Sequence, residues 1–337
     1  MKQIPELNLE HLRGMTDSFG MFQHAKFASP NKRTGYALDD NARALIAAVQ
    51  LKEFGLAEKY LRFIKFCQHS SGKFYNKVTW KHEKKHSPTI GDCFGRTVWA
   101  CGFVLGSKAP KRLKNECKKI FGKAKRFFPE LHDAKTISYC ILGCVHYLNA
   151  KNPPKAFLQK QINAFGNVLA ERLEAHSQKN WIWFENILSY CNAKVPEALF
   201  KAYLATGSKK FLEAGEKSFD FLAKRTFYKN CFVPIGQEGW CRPNGFRSFF
   251  DQQPVEAGTM TEAAVSGFLA TKNPKFKKIA ENSFAWFFGN NLTKETVYYP
   301  ETGAVFDGIA ANTINENRGA ESLLTYLLAR SALKTIK

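Results

Sequence analysis

Carboxylates, amides and aromatic residues recur in this sequence just before helices that are rich in small residues. Aromatic faces bind the apolar sides of sugar rings, and amides and carboxylates make directional hydrogen bonds to hydroxyl groups. The segment Trp183-Phe184-Glu185-Asn186 is the clearest example, because it sets a carboxylate among aromatic rings. A buried aromatic cluster with a helix cap explains this one segment equally well. The recurrence along the chain is what favours a sugar site.

Five carboxylates near the starts of these helices are candidates for catalysis, since paired carboxylates cleave glycosidic bonds as acid and base or nucleophile. We predict that Glu185, among its aromatic neighbours, has a raised pKa and acts as the general acid. Asp40 shares a helical face with Arg43, and we expect it to stay ionised and act as base or nucleophile. The candidates are Asp40, Glu185, Asp251, Glu256 and Glu316.

A second set of residues is predicted to bind the substrate. Trp183 is the expected aromatic platform, and the amides of the set are expected to bind hydroxyl groups. If the bond is cleaved by phosphorolysis, Arg43, Arg96 or Arg318 would hold the phosphate. For any single acidic residue, a helix cap is at least as good an explanation. The predicted substrate-binding residues are Tyr36, Asp39, Arg43, Asp92, Arg96, Trp183, Asn192, Gln252, Gln253, Asp307 and Arg318.

The elements that position these residues form six repeats of roughly 46 to 66 residues, a spacing typical of helical-repeat architectures. In each repeat, a helix rich in small residues is followed by an amphipathic, basic one; the last repeat lacks the second helix. The first kind must be buried and the second must lie outside. The pattern predicts an all-α fold, an (α/α)6 toroid spanning residues 1–337 as a single domain. Leu7–Leu12 is expected to close the ring, and 227–250 and 296–307 to be irregular or β-rich insertions.

Composition agrees with a globular protein: 45% of the 337 residues are hydrophobic and 14% are aromatic. No apolar run is long enough for a membrane span, and the N-terminal residues lack the apolar core of a signal peptide. The nine cysteines include no CxxC pair, which indicates reduced thiols and a cytoplasmic protein. The sequence predicts no metal site and no cofactor.

The formal net charge is +21. Much of the excess lies in stretches such as 108–125, where Leu113, Cys117 and Ile120 are spaced for burial and the lysines point away. We therefore expect a solvated basic surface, no membrane partner and no nucleic-acid partner. A functional site for a polyanion is the alternative.

Four segments carry a resemblance to a known family. These are Gly35-Tyr36-Ala37-Leu38-Asp39-Asp40-Asn41-Ala42-Arg43-Ala44-Leu45, Trp183-Phe184-Glu185-Asn186, Phe250-Asp251-Gln252-Gln253-Pro254-Val255-Glu256-Ala257 and Asn315-Glu316-Asn317-Arg318-Gly319-Ala320-Glu321-Ser322. On them, nearly the whole chain resembles the six-hairpin glycosidase superfamily. Within it, the motifs are similar to those of a group found as stand-alone proteins or fused behind glycosyltransferase domains, often near mannoside phosphorylase genes. The resemblance implies the toroid and a carbohydrate ligand.

Two functions from different classes remain open. The first is a glycoside hydrolase or phosphorylase acting on an oligosaccharide or polysaccharide, of mannose type, with inorganic phosphate as co-substrate in the second case. The second is a non-catalytic glycan-binding module that presents substrate to a glycosyltransferase partner. Sugar epimerases of the same superfamily use histidines on late helices, whereas the last histidine here is His176. The sequence therefore disfavours an epimerase.

Overall fold

The computed structural model describes residues 4–228 and 230–336. Within them the chain forms twelve α-helices, most of them in consecutive antiparallel pairs. The helices are α1 (Glu10–Gly14), α2 (Leu38–Gln50), α3 (Phe54–Cys67), α4 (Asp92–Gly106), α5 (Lys111–Ala124), α6 (Ala134–Leu148), α7 (Lys155–His176), α8 (Lys194–Thr206), α9 (Lys209–Thr226), α10 (Pro254–Thr271), α11 (Pro274–Ala285) and α12 (Ala320–Leu333).

Six of these helices form a closed inner ring. Helices α2, α4, α6, α8, α10 and α12 each pack against the next, and α12 packs against α2. Each inner helix from α2 to α10 also packs against the helix that follows it, so α3, α5, α7, α9 and α11 form an outer layer. This arrangement is an (α/α)6 toroid and confirms the predicted fold class.

The inner helices run in the same direction, so their first residues meet at one end of the ring. Along the contact of α4 with α6, Gly95 lies against Thr136, Gly102 against Gly143 and Gly106 against His146. The glycines let the two backbones approach closely, because a Cβ at Gly102 would overlap the carbonyl oxygen of Gly143. The small residues seen in the sequence are what makes a ring this tight possible.

The outer helices are one-sided, as their sequences predict. On α5, Leu113, Cys117 and Ile120 are buried, whereas Lys111, Lys118 and their basic neighbours are exposed. On the inner helix α4, by contrast, nearly every residue from Cys93 to Leu105 is buried. Burial on one face only and burial all round therefore distinguish the two layers.

Short antiparallel strands decorate the loops between helices. Phe227–Tyr228 pairs with Cys231–Phe232, and Tyr298–Tyr299 pairs with Ala304–Val305, so strands form in both segments predicted to be irregular or β-rich. Gly308–Ile309 and Ile314–Asn315 form another hairpin, just before α12. The strands are β1 (Ala25–Lys26), β2 (Ser29–Pro30), β3 (Tyr36–Ala37), β4 (Lys77–Val78), β5 (Lys84–Lys85), β6 (Phe227–Tyr228), β7 (Cys231–Phe232), β8 (Tyr298–Tyr299), β9 (Ala304–Val305), β10 (Gly308–Ile309) and β11 (Ile314–Asn315), paired as β1–β2, β3–β4–β5, β6–β7, β8–β9 and β10–β11.

The N-terminal segment contacts both the loops that precede α12 and the start of α3. His11 Nε2 lies 2.7 Å from the carbonyl oxygen of Arg318, and Asn8 donates to the carbonyl oxygen of Glu301 at 2.6 Å. Arg13 forms an ion pair of 2.8 Å with Glu53, next to the start of α3. The helix in this segment, Glu10–Gly14, begins inside the predicted closing segment Leu7–Leu12 and ends beyond it.

None of the helices in the described part of the chain is long and apolar enough to cross a membrane. All nine cysteines lie in the described residues, and none forms a disulfide.

The close contact between α4 and α6 predicts that two glycine substitutions change the free energy of unfolding in opposite directions. Gly102→Ala should lower the free energy of unfolding by about 1–3 kcal/mol or more, because the added methyl group overlaps backbone. Gly122→Ala on α5 is the matched control: a Cβ there meets nothing within 4 Å. It should raise the free energy of unfolding by about 0.5–1 kcal/mol, through helix propensity. Urea denaturation measures both; equal effects would contradict this packing.

Candidate functional site

A polar cavity opens at the end of the ring where the inner helices begin. Its volume is about 430 Å³, and the starts of α2, α10 and α12, the loop at 23–34 and the loop at 307–317 line it. A cavity of this size accommodates a small ligand such as one or two sugar units. Of the residues predicted from the sequence, Asp39, Asp40, Arg43, Gln253 and Asp307 line this cavity.

Asp39 is fixed as an ionised carboxylate at the start of α2. Its Oδ1 accepts a hydrogen bond of 2.8 Å from Arg96, and its Oδ2 accepts one of 2.9 Å from Asn76. Burial raises the pKa of Asp39, but the positive charges of Arg96 and Arg43 more than offset this and hold it below its ordinary value. Arg96 also lies over the ring of Tyr139, which fixes its orientation.

Asp40 is in the opposite electrostatic situation, although it is the next residue. It is almost fully buried and accepts a hydrogen bond of 2.7 Å from Arg43. Arg43 is shared with Glu321 of α12, at 2.9 Å. Burial raises the pKa of Asp40 to about 6, and Arg43 only partly opposes this. Desolvation therefore outweighs the ion pair in setting the direction of the pKa shift, so Asp40 is mostly ionised at neutral pH, as expected, but takes up a proton below about pH 6.

Glu256, on the first turn of α10, is a second buried acid at this end of the ring. Its carboxylate accepts hydrogen bonds from the backbone N–H of Cys191 and, at 3.3 Å, from Asn192. Burial raises its pKa to about 7, and these two hydrogen bonds oppose the shift. Glu256 therefore exchanges a proton near neutral pH, though it does not line the cavity itself.

Two further carboxylates stand at the loops of this end. Asp307 caps α12, because its Oδ1 accepts hydrogen bonds of 2.7 Å from Gly319 N–H and from the Ser322 hydroxyl. Its pKa is raised by burial, which these bonds oppose. Asp251 Oδ1 is buried without a hydrogen-bond partner among the described residues. Burial, followed by the nearby charges of Glu238 and Asp307, raises the pKa of Asp251.

Trp183 and Glu185 do not have the surroundings that the sequence predicts. The Trp183 ring is buried and packs against Phe184 and Phe221, so no sugar ring can stack on it. The side chain of Glu185 is 29% exposed and lies 3.9 Å from Arg172 of the outer helix α7. Neither residue lines the cavity. Both predictions are wrong because this segment turns towards the outer layer and not towards the ring axis.

Several predicted ligand groups are occupied by the protein itself. The Asn192 amide bonds to Ser189 and Glu256. Gln252 is fully buried, donating to the Phe249 carbonyl and accepting from Trp286. These contacts correct the prediction that both bind substrate hydroxyls.

Tyr36, Asp92, Glu316 and Arg318 also lie outside the lining of the cavity. The Tyr36 hydroxyl donates to Asp17 at 2.6 Å, and its ring is buried. Asp92 binds Arg96 at 3.2 Å. Glu316 is exposed, and the Arg318 guanidinium lies over the rings of Tyr299 and Phe306. Of these four, only Asp92 contacts Arg96, the arginine that binds Asp39 at the cavity.

The cavity also contains residues that the sequence did not single out. They are polar groups from the N-terminal loop and the start of α12, and only Glu321 among them carries a full negative charge. No helix period or acidic motif marks the loop at 23–34, which reaches the cavity only through tertiary folding. The missed lining residues include Gln23, His24, Asn31, Thr34, Asn317, Glu321 and Ser322. Among the residues described, no group of three His, Cys, Asp or Glu side chains is placed to hold a metal ion.

The burial of Trp183 predicts a stability effect in place of a binding effect. Trp183→Ala should lower the free energy of unfolding by about 3–5 kcal/mol, and the folded variant should bind oligosaccharide as the wild type does. Trp80, which is 52% exposed, gives the control: Trp80→Ala should change stability by no more than about 0.5 kcal/mol. Thermal denaturation and calorimetry measure the two quantities. A folded Trp183→Ala protein with weakened sugar binding would restore the platform prediction.

The raised pKa of Glu256 predicts how stability depends on pH. Its pKa rises from 4.5 unfolded to about 7 folded, so its contribution is full below pH 4.5 and is lost as pH rises through 7. The stability difference, wild type minus Glu256→Gln, should fall between about pH 4.5 and pH 7. Glu116 is the control, because Lys119 and Lys65 lower its pKa from 4.5 to about 2. The stability difference, wild type minus Glu116→Gln, should therefore rise with pH between about pH 2 and pH 4.5. A pH-independent difference for Glu256→Gln would contradict the assignment.

Comparison with solved structures shows the fold of the chain. No family model and no curated protein sequence matches it. A cellobiose 2-epimerase from Bacillus thermoamylovorans has a TM-score of 0.74 at 12% identity, covering 98% of this chain and 96% of that one. A D-mannose isomerase has a TM-score of 0.73 at 11% identity, covering 97% and 96%. A GH76A α-1,6-mannanase from Salegentibacter has a TM-score of 0.64 at 12% identity, covering 97% of both chains. The chain therefore has the same (α/α)6 toroid fold as these proteins.

Proposed function

We propose that the chain is a carbohydrate-active enzyme and that it hydrolyses a glycosidic bond in an oligosaccharide of mannose type. The observation that supports this most is the pair Asp39 and Asp40, which line one cavity while their pKa values are shifted in opposite directions. Two carboxyl groups that differ in this way at one site divide the work of acid and base between them. The names of the similar structures, which include a mannanase and a mannose isomerase, agree with a sugar substrate.

The two carboxyl groups take distinct roles. Asp40, whose pKa is about 6, is protonated under mildly acidic conditions and donates its proton to the glycosidic oxygen as the bond breaks. Asp39, ionised and held by Arg96 and Asn76, attacks the anomeric carbon or activates the attacking water. Arg43 fixes the Asp40 carboxyl group and Glu321 beside the substrate.

The remaining lining groups supply what binding a neutral sugar requires. Gln23, Asn31, Gln253, Asn315 and Asn317 present amides at the cavity, and amides both donate and accept hydrogen bonds with hydroxyl groups. No side chain that lines the cavity within the described residues is an exposed aromatic platform. Specificity therefore rests on hydrogen bonds, which discriminate strongly between hydroxyl patterns.

Hydrolysis is favoured over phosphorolysis by the state of the arginines. Arg43 is neutralised by Asp40 and Glu321, and Arg96 by Asp39 and Asp92. A phosphate ion entering this site would meet carboxylates and no uncommitted guanidinium group, so like charges would repel it. Adding phosphate should therefore leave the rate of bond cleavage unchanged.

The test compares two substitutions on two kinds of substrate. Asp39→Asn should lower kcat roughly a hundredfold to ten-thousandfold on every glycoside. Asp40→Asn should do so on natural oligosaccharides but spare aryl mannosides whose leaving group needs no protonation. In the wild type, kcat/KM should fall above pH 6, since Asp40 loses its proton there. This decline should disappear in Asp40→Asn acting on the activated substrate.

Glu316→Gln is the matched control, because Glu316 is an exposed carboxylate near the same end that does not line the cavity. It should hydrolyse as the wild type does. Two results would contradict the proposal: full activity in folded Asp39→Asn, or a wild-type protein that binds mannose oligosaccharides and cleaves none of them with or without phosphate. The second result would instead support a glycan-binding module.

A further inference from the structure

A second cavity, of about 610 Å³, shares no lining residue with the central one. It lies between the loop that follows α7, the C-terminal end of α9 and the loop at 241–247. Of the described residues that line it, five are basic and none is acidic. The five basic residues are Lys179, Lys224, Arg225, Arg242 and Arg247.

The positive charges of this second cavity are not neutralised by the protein. In residues 4–228 and 230–336, none of the five basic side chains forms an ion pair. The arginines of the central site differ, because Arg43 and Arg96 each bind two carboxylates. A concave surface lined by one sign of charge concentrates counter-ions. The second cavity therefore attracts an anion.

Two of the arginines are held in place by uncharged groups. Arg225 donates to the carbonyl oxygen of Asn180 at 2.7 Å, and its guanidinium lies over the Phe221 ring. One Nη atom of Arg247 donates to the carbonyl oxygens of both Val233 and Pro234. The Nε atom of each is buried without a partner among the described residues. Carbonyl oxygens orient a guanidinium group without cancelling its charge, so both arginines are preorganised for an anionic ligand.

The size and the other side chains of the cavity indicate a ligand larger than a single oxyanion. A volume of this order holds a small organic molecule. Gln178, Asn180 and Asn244 add amides to the lining, and amides bind hydroxyl groups. Phe246, in the loop at 241–247, is 89% exposed, and an aromatic face beside such a cavity suits a sugar ring.

We propose that this second cavity binds a phosphorylated sugar. Arg225 and Arg247 bind the phosphate group through charge-assisted hydrogen bonds from the guanidinium nitrogens that the carbonyl oxygens leave free. Lys179, Lys224 and Arg242 add positive potential at the rim, and the amides bind the sugar hydroxyls. This is a binding site beyond the proposed hydrolysis, and it requires neither Asp39 nor Asp40.

The test is a charge reversal at the rim. Lys179→Glu, Lys224→Glu and Arg242→Glu together remove three positive charges whose side chains make no hydrogen bond or ion pair with described residues, so the variant should fold. Calorimetry with mannose 6-phosphate should show binding weakened by roughly tenfold or more. Lys111→Glu, Lys118→Glu and Lys123→Glu on α5 change the net charge by the same amount and should alter the affinity by less than about twofold. Equal losses in both variants, or no loss in the first, would overturn the proposal.

Three further measurements define the ligand class and separate this site from the catalytic one. Wild-type protein should bind mannose 6-phosphate more tightly than it binds mannose or inorganic phosphate. Equal affinity for inorganic phosphate, or tighter binding of a thymidine oligonucleotide that is lost in the rim variant, would overturn the assignment to a phosphorylated sugar.

Asp39→Asn should bind mannose 6-phosphate as the wild type does, whether or not it hydrolyses glycosides. Arg247→Lys, which keeps the charge but not the planar guanidinium group that the Val233 and Pro234 carbonyl oxygens orient, should bind more weakly.

Discussion

Arg43 is the residue on which the closure of the ring and the state of the central site both depend. It lies on the first inner helix, binds Asp40 on the same helix and binds Glu321 on the last inner helix. The pairing therefore connects the two ends of the sequence where the ring closes. Arg43 and Asp40 are both buried, whereas the side chain of Glu321 is 46% exposed. Loss of Asp40 would leave the Arg43 charge buried with only a half-exposed partner, and breaking a buried pair in this way costs about 3–5 kcal/mol. The ring is thereby held in one arrangement, and the carboxylates are held at one cavity.

Burial and nearby charges give the neighbouring residues Asp39 and Asp40 different pKa values. Asp39 retains partial exposure, and two arginines, Arg96 and Arg43, together with the Asn76 amide lower its pKa, so positive charge decides it. Asp40 is more deeply buried, and only Arg43 lowers its pKa while Glu321 and Asp39 raise it, so desolvation decides it. The difference in exposure and in the charges near each carboxyl group thus shifts the two neighbouring pKa values in opposite directions. In the second cavity the balance is reversed, because its arginines have no carboxylates at all among the described residues that line it.

The fold could be predicted from the sequence because it depends on local composition. The composition of each helix, rich in small residues or basic and amphipathic, indicates whether it lies in the inner or the outer layer. Five such pairs and a final inner helix then form a ring. The site could be predicted only in part, because side-chain direction at a helix start depends on distant partners. Gln252 and Gln253 are adjacent, yet one is fixed by Trp286 and the other faces the cavity. Trp183 is buried by Phe221, which lies on the following outer helix. Nothing in the local sequence reveals either partner.

The chemistry of this toroid is decided at the starts of the inner helices and not by the ring itself. Epimerases and a mannanase share the architecture with this chain, and at identities near 12% the likeness extends to the fold alone. Here the last histidine, His176, precedes α8, so the inner helices α8, α10 and α12 carry no imidazole. Groups that exchange protons near neutral pH on that side are carboxyl groups such as Glu256, whose pKa burial raises to about 7. The central cavity itself is lined, among the described residues, by one imidazole, that of His24 in the N-terminal loop, and by the carboxyl group of Asp40, whose pKa burial raises to about 6. A desolvated carboxyl group of this kind is what the proposed glycosidic cleavage requires of its acid.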